Sequence, residues 1–125
     1  MKKLLLLGVC VASAITLSAC GSSRTKTIGQ EVYIKTIDQV VSKEATNLAQ
    51  CIEINLKEYQ ASSHMRPRTL EIWSGAVPST DNNQPQATIE IAPPSYGEGG
   101  IHAHLNVFQR QPVVEEINEA IRPCL

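Results

Sequence analysis

The sequence predicts an α+β fold in the order α-β-β-β-α, with a three-stranded antiparallel meander packed against two helices. Three observations lead to this expectation. Apolar residues recur at helical spacing in the N-terminal half, three later segments alternate polar and apolar residues, and a second helical pattern follows Pro112. Connections rich in Gly and Pro separate the strands, and two amphipathic helices can cover the apolar face of such a sheet.

The first helix is predicted over residues 30–56. Its apolar positions recur at steps of three and four and form one stripe: Ile34, Ile37, Val41, Ala45, Leu48 and Ile52. Residues 52–56 alternate, so a change to a strand near Cys51 is an alternative. We favour a helix, because Lys57 and Glu58 are typical of a solvated last turn.

The three strands are predicted at residues 69–73, 87–91 and 101–108, where polar and apolar residues alternate. The last strand has one apolar face, formed by Ile101, Ala103, Leu105 and Val107, and a second face formed by His102, His104, Asn106 and Phe108. Residues 60–68, 74–85 and 96–100 are rich in turn-forming residues and are predicted to be loops.

A short closing helix is predicted after Pro112, which suits the first turn of a helix because its missing N–H needs no partner there. Glu115 and Glu116 lie near the helix N-terminus, where negative charge is favoured. Pro123 ends the helix. The apolar spacing places Cys124 on its buried face.

The first twenty residues carry a different pattern. Lys2 and Lys3 precede a mostly apolar run that ends in Leu17-Ser18-Ala19-Cys20. A charged start, a short apolar centre and small residues at the cut mark a secretory signal, and the run is too short for a membrane span of about 20 residues. This segment resembles the signal peptide and lipobox of bacterial lipoproteins. The resemblance implies cleavage before Cys20, a diacylglyceryl thioether on its sulfur and a fatty acid such as palmitate on its amine.

The resemblance divides the chain into a signal peptide at 1–19, a lipidated flexible tether at 20–29 and one domain at 30–125. It implies a membrane anchor at Cys20 and a protein that faces the periplasm. Gly21 rather than Asp follows the acylated cysteine, which favours the outer membrane over the inner membrane. The alternative is an ordinary cleaved signal that leaves Cys20 unmodified.

Export also bears on the remaining cysteines. Cys10 would leave with the signal and Cys20 would be acylated, so Cys51 and Cys124 remain as a pair in an oxidising compartment. We predict a disulfide between them; two buried free thiols are the alternative. A cysteine in the first helix followed by Ile52, with a second cysteine near the C-terminus, resembles a pattern in small uncharacterised periplasmic lipoproteins.

Composition argues against a nucleic-acid partner. The 11 basic and 12 acidic residues nearly balance, and loss of Lys2 and Lys3 makes the mature chain more acidic. A nucleic-acid-binding surface requires clustered positive charge. An enzyme is not expected either, because Ser63 and His64 are neighbours in sequence rather than a triad, and residues 97–100 precede a strand, whereas a phosphate-binding loop opens a helix.

Two kinds of binding remain. His102 and His104 project from one strand face about 7 Å apart, which suits two ligands of one metal ion, and His64 could supply a third. A His-x-His pair is also common on a solvated strand face, so no metal and no cofactor is expected. Trp73 and Phe108, at strand ends, are candidates for a partner surface. We therefore expect a non-enzymatic, lipid-anchored protein that binds a protein or another envelope component; metal binding through His102 and His104 is the alternative.

Overall fold

The structure is a computed structural model that describes residues 24–80, 83–94 and 101–125. Within these ranges the chain forms six strands and two helices. They are β1 (Thr25–Ile28), β2 (Glu31–Val41), α1 (Ala45–Tyr59), β3 (His64–Pro67), β4 (Trp73–Val77), β5 (Ala87–Ala92), β6 (Ala103–Arg110) and α2 (Glu115–Ile121), followed by a 3-10 turn at Arg122–Cys124.

All six strands join one antiparallel sheet in the order β1-β2-β6-β5-β4-β3. The last strand, β6, therefore lies in the interior between β2 and β5. The two edge strands, β1 and β3, are only four residues long. Lys26 in β1 and Pro67 in β3 also discourage pairing with another chain at these edges.

The expected fold of a three-stranded meander against two helices is wrong, because the sheet has six strands in the described residues. The largest difference is at residues 31–41, which were predicted to be helical and form β2. A β-bulge between Lys35 and Ile37 explains the misleading pattern. The bulge adds one residue, so Ile34 and Ile37 lie on the same sheet face although three positions separate them. The spacing of four from Ile37 to Val41 fits a strand equally well.

Two short strands were also missed. β3 lies inside the predicted loop at 60–68, and β4 begins at Trp73, where the predicted strand was expected to end. In β4 the alternation of apolar and polar residues is not visible in the sequence, because the inner-face position between Trp73 and Val77 is Gly75, which has no side chain. A Cβ at this position would collide with Met65 of β3, so the close approach of the two strands requires glycine.

The remaining elements follow the sequence more closely. The predicted strands at 87–91 and 101–108 correspond to β5 and β6, and the closing helix corresponds to α2. The helix that contains Cys51 continues to Tyr59 and does not change to a strand. β1 lies within residues 20–29, the segment expected to be a flexible tether, so Thr25–Ile28 of that segment belong to the sheet.

Both helices pack against one face of the sheet, here called the inner face. The core combines apolar residues of both helices with those of β2 to β6: Ile37, Val41, Leu48, Ala49, Ile52, Leu56, Met65, Val77, Ala87, Ile89, Ile91, Ala103, Leu105, Val107, Ile117, Ile121 and Cys124. In the described part of the chain, neither helix has the length and apolar character that a membrane span requires.

One buried polar cluster connects α2 to the sheet. Gln109 of β6 is fully buried; its Nε2 donates to Asn118 Oδ1 at 3.1 Å and to the Val114 carbonyl at 3.1 Å, and its Oε1 accepts from the Val114 N–H at 2.9 Å. Thr36 Oγ1, at the bulge in β2, donates to Asn118 Oδ1 at 3.0 Å. Because buried polar groups are costly without partners, these bonds hold α2 in one position.

Candidate functional site

The predicted disulfide is present. Cys51 of α1 and Cys124 of the C-terminal turn are bonded with their Cα atoms 5.8 Å apart. Two further contacts fix the same terminus: Lys43 Nζ donates to the Cys124 carbonyl at 2.6 Å, and Asn55 Nδ2 donates to the Ala120 carbonyl at 2.9 Å. The C-terminal segment is therefore joined to α1 and to the residues just before α1. Cys20, the predicted lipidation site, lies outside the described residues.

The opposite side of the sheet, here called the outer face, carries His104 of β6 together with Lys35, Asp38, Glu90 and Phe108. His104 Nε2 lies 2.6 Å from Asp38 Oδ1, and Lys35 Nζ lies 3.1 Å from Asp38 Oδ2. The hydrogen bonds from His104 and then from Lys35 hold the pKa of Asp38 below its ordinary value. This carboxylate therefore stays ionised between two donors.

The structure does not bring the three predicted metal-ligand histidines together. His64 lies in β3 and His104 in β6, and β4 and β5 separate these strands, so three strand spacings of about 4.8 Å lie between them. His102 precedes β6, and its Nδ1 is buried without a hydrogen-bond partner among the described residues. Across residues 24–80, 83–94 and 101–125, no group of three or more His, Cys, Asp or Glu side chains could hold a metal ion.

The two candidates for a partner surface lie on opposite faces of the sheet. Phe108 is on the outer face and only 8% exposed, because Lys26 Nζ lies 4.6 Å and Lys35 Nζ 5.5 Å from its ring centroid. Lys26 also forms an ion pair with Glu90 at 2.7 Å. Trp73 is half-buried on the inner face and packs against the core. The two rings therefore cannot form one continuous surface.

A different surface stands out at the end of the sheet where β2 ends and β6 begins. We call it the loop end and define it as residues 42–46, the β3–β4 loop at 68–72, and residues 101–102. It displays three large apolar side chains: Leu70 is 90% exposed, Ile101 59% and Ile72 39%. Exposed apolar residues are unremarkable singly, but a cluster of them is typical of an interaction surface.

The exposed tip of the β3–β4 loop is held by its own hydrogen bonds. The N–H groups of Arg68 and Thr69 donate to the Ile72 carbonyl at 2.7 and 3.2 Å. The Thr69 Oγ1 accepts from the N–H groups of Glu71 and Ile72 at 3.3 and 3.2 Å. The loop therefore presents Leu70 in a defined position, which lowers the entropy cost of binding through it.

Clefts surround this tip. One of about 230 Å³ is lined by Glu44, Ala45, Thr46, Leu70 and Glu71. Another, of about 330 Å³, is lined by Arg68, Ile72, Trp73, Ser74, Glu90, Ile91 and Ala92. Trp73 Nε1 is buried there without a hydrogen-bond partner among the described residues. Thus Trp73, which the sequence suggested as part of a partner surface, lines the cleft beside the β3–β4 loop.

Sequence reasoning missed Leu70 because the alternation in 69–73 assigned it to a strand. The available signal was Pro67. Proline cannot donate to the hydrogen-bond ladder of a sheet, so a strand that ends there and a loop that contains Leu70 were the alternative to a strand at 69–73.

The β3–β4 loop, which forms one part of the loop end, lies diagonally across the sheet from β1. β1 pairs with Glu31–Ile34, at the far end of β2 from Val41. Four strand spacings separate β1 from β4, which is about 19 Å, and the register places Trp73 at least about 13 Å further along the strands than Ile34. The start of the described chain and the exposed leucine therefore occupy opposite corners of the molecule.

Comparisons of this chain with protein-family models, with curated proteins and with solved structures found no match.

Proposed function

We propose that this is a non-enzymatic, lipid-anchored protein on the periplasmic face of the outer membrane, and that it binds an envelope protein through the loop end. The observation that carries the proposal is the position of Leu70. It is 90% exposed at the tip of a hydrogen-bonded loop, at the corner of the sheet diagonal to the N-terminal strand.

The lipobox sequence and the disulfide both support export. Cys20 follows Leu17-Ser18-Ala19, and a disulfide between Cys51 and Cys124 is typical of proteins that fold in an oxidising compartment. Four residues, 21–24, lie between Cys20 and Thr25. The five steps from Cys20 to Thr25 span at most about 18 Å, so a lipid on Cys20 keeps the β1 corner near the bilayer.

This anchoring favours a protein as the partner of the loop end. With the β1 corner near the membrane, Leu70 lies at the opposite corner of the sheet, where the short tether does not hold it at the lipid. Acidic side chains flank it: Glu71 follows it, and Glu44 lines the same cleft. Neither carboxylate belongs to an ion pair of the described residues. A complementary partner presents an apolar pocket beside Lys or Arg.

The docking part of the proposal is tested with the Leu70→Asp variant and a matched control. Ile54, on α1, is 63% exposed and outside the loop end, so Ile54→Asp makes the same chemical change elsewhere. After crosslinking in cells and purification, Leu70→Asp should lose the partner that the wild type and Ile54→Asp retain, and the identified partner should rebind the purified wild type. Equal retention by both variants would contradict docking through this loop.

The anchoring part is tested separately with Cys20→Ser. This variant should lose labelling by a fatty-acid analogue and move from the membrane fraction to the soluble periplasm. Persistence of the label would overturn the lipidation proposal, and wild-type protein found with the inner membrane would overturn the outer-membrane assignment.

A further inference from the structure

The two sulfurs of the disulfide have unequal surroundings. Cys124, in the C-terminal turn, is fully buried, whereas Cys51 is only partly buried. Cys51 also lines a cleft of about 620 Å³, together with Ser42, Lys43, Glu44, Asn47 and Ile101. Clefts of roughly 300–1,000 Å³ accommodate small ligands and short peptide segments. A thiol that enters this cleft meets Cys51 first.

We propose that Cys51 is the exchange site of this bridge: the sulfur to which a thiol–disulfide oxidoreductase of the envelope bonds when the bridge is made or broken. The inference concerns chemistry that the proposed docking function does not need. It rests on access to Cys51 and on the group that faces Cys124.

The surroundings of Cys124 suit a leaving thiolate. Asn55 Nδ2 lies 3.5 Å from Cys124 Sγ and can donate a hydrogen bond to it. A hydrogen bond to the charged form stabilises that form, and a better-stabilised thiolate leaves faster. Asn55 is thus a positioning residue that favours departure of Cys124 when Cys51 is attacked.

The charges around the entrance are mixed. Lys43 Nζ is held at the Cys124 carbonyl, 2.6 Å away, and its positive charge attracts an incoming thiolate. Glu44 lines the same cleft and opposes this attraction. Access to Cys51, rather than strong electrostatic attraction, therefore determines which of the two sulfurs an incoming thiolate attacks.

In the reducing direction, a thiolate of the oxidoreductase attacks Cys51 Sγ, the bond to Cys124 Sγ breaks, and Cys124 leaves as a thiolate. The second cysteine of the oxidoreductase, as a thiolate, then attacks the oxidoreductase sulfur that is bonded to Cys51. This step closes the disulfide of the oxidoreductase and releases Cys51 as a thiolate. The bridge gains two electrons, the oxidoreductase dithiol loses two, and its two protons end on the protein thiols. Oxidation reverses these steps, with Cys124 resolving the mixed disulfide on Cys51.

The test uses reduced glutathione as the thiol and the folded, oxidised mature protein. After a short exposure the reaction is quenched with an excess of an alkylating agent, which traps the released cysteine, and peptide mass mapping locates the glutathione. At least tenfold more glutathione on Cys51 than on Cys124 is expected. Comparable amounts on both cysteines, a preference for Cys124, or no adduct in the folded protein would overturn the proposal.

The role of Asn55 is tested with Asn55→Leu against Asn47→Ala, which alters the same cleft without touching Cys124. Exchange should slow about three- to tenfold in Asn55→Leu only, as expected for loss of a hydrogen bond to the leaving group. In a Cys51→Ser background, Asn55→Leu should raise the pKa of Cys124, measured from the pH dependence of its alkylation. An unchanged pKa and rate would contradict this role for Asn55 even if the variant is less stable.

Discussion

The two faces of the sheet use the same six strands in different ways. The inner face buries aliphatic side chains under α1 and α2. The disulfide between Cys51 and Cys124 joins α1 to the turn that follows α2, and Gln109 of β6 bonds to α2. The outer face carries charged pairs, such as Lys26 with Glu90. Burial of apolar area and a cross-link contribute far more free energy than exposed ion pairs do. The difference indicates that stability resides on the inner face.

The largest expected effect is removal of the cross-link on the inner face. The disulfide joins residues 73 positions apart, and the chain-entropy model gives about 4 kcal/mol for a loop of this size. Cys124→Ser should lower the free energy of unfolding by this amount, measured by urea denaturation under non-reducing conditions. Cys51→Ser should give a similar loss, and adding a reductant should weaken the wild type but neither variant. If the bridge contributed nothing, the wild type, Cys124→Ser and Cys51→Ser would unfold at the same urea concentration.

A neighbouring pair in β6 compares the faces directly. Leu105 is fully buried on the inner face, and Asn106 points to the outer face. Leu105→Ala should cost about 3 kcal/mol of unfolding free energy, because it leaves a cavity in the centre of the core. Asn106→Ala should cost under about 1 kcal/mol. Equal losses in thermal or urea unfolding would show that the outer face is packed as tightly as the inner one.

The next effect concerns the buried polar cluster. Gln109→Leu keeps the volume but leaves the N–H of Val114 and the Oδ1 of Asn118 with fewer partners, so a loss of about 2 kcal/mol is expected. Gln39→Leu, at an exposed position in β2, is the control and should change stability by less than about 0.5 kcal/mol. Amide exchange should also accelerate across α2 in Gln109→Leu; unchanged exchange there would contradict the anchoring role of Gln109.

The smallest effect is a pH dependence on the outer face. Hydrogen bonds from His104 and Lys35 lower the pKa of Asp38 from 3.8, so its contribution is complete above about pH 4 and disappears as the pH falls through the lowered value. The Asp38 side chain is 47% exposed, and solvent screening limits the contribution to under about 1 kcal/mol. Asp38→Asn should therefore destabilise slightly at pH 7, and this difference in stability should shrink as the pH falls below 3.8. A difference in unfolding midpoint that grows on acidification would have the wrong sign.

The sequence predicts correctly those parts of the fold in which a residue pattern can arise from only one kind of structure. The alternation in Ala87–Ala92 and Ala103–Arg110 arises from strands with one buried face, and the cysteine pair follows from export and an even count. β2 was misassigned because its bulge converts a period of two into a local step of three, and a bulge depends on pairing with β6, which lies far along the chain. Likewise, β3 and β4 depend on the contact that Gly75 permits with Met65.

The candidate site was harder to predict than the fold. Trp73 was singled out for its size, and it does line a cleft beside the loop end. Phe108 was singled out for the same reason, but Lys26 of β1 and Lys35 of β2 cover it, and sequence does not reveal that these strands lie beside β6 in the order β1-β2-β6. Leu70 matters because of its exposure, which only the position of the β3–β4 loop determines.

The central claim, that the partner binds at the loop end, is tested most directly by photo-crosslinking in cells from single positions. A photoreactive residue replaces Leu70 at the loop end, His104 on the outer face or Ile54 on α1. The account predicts one defined protein adduct from position 70 and none from positions 104 and 54, with the position-70 adduct lost when Glu44 and Glu71 are both changed to Lys. The same adduct from position 104, or no adduct from position 70, would contradict it.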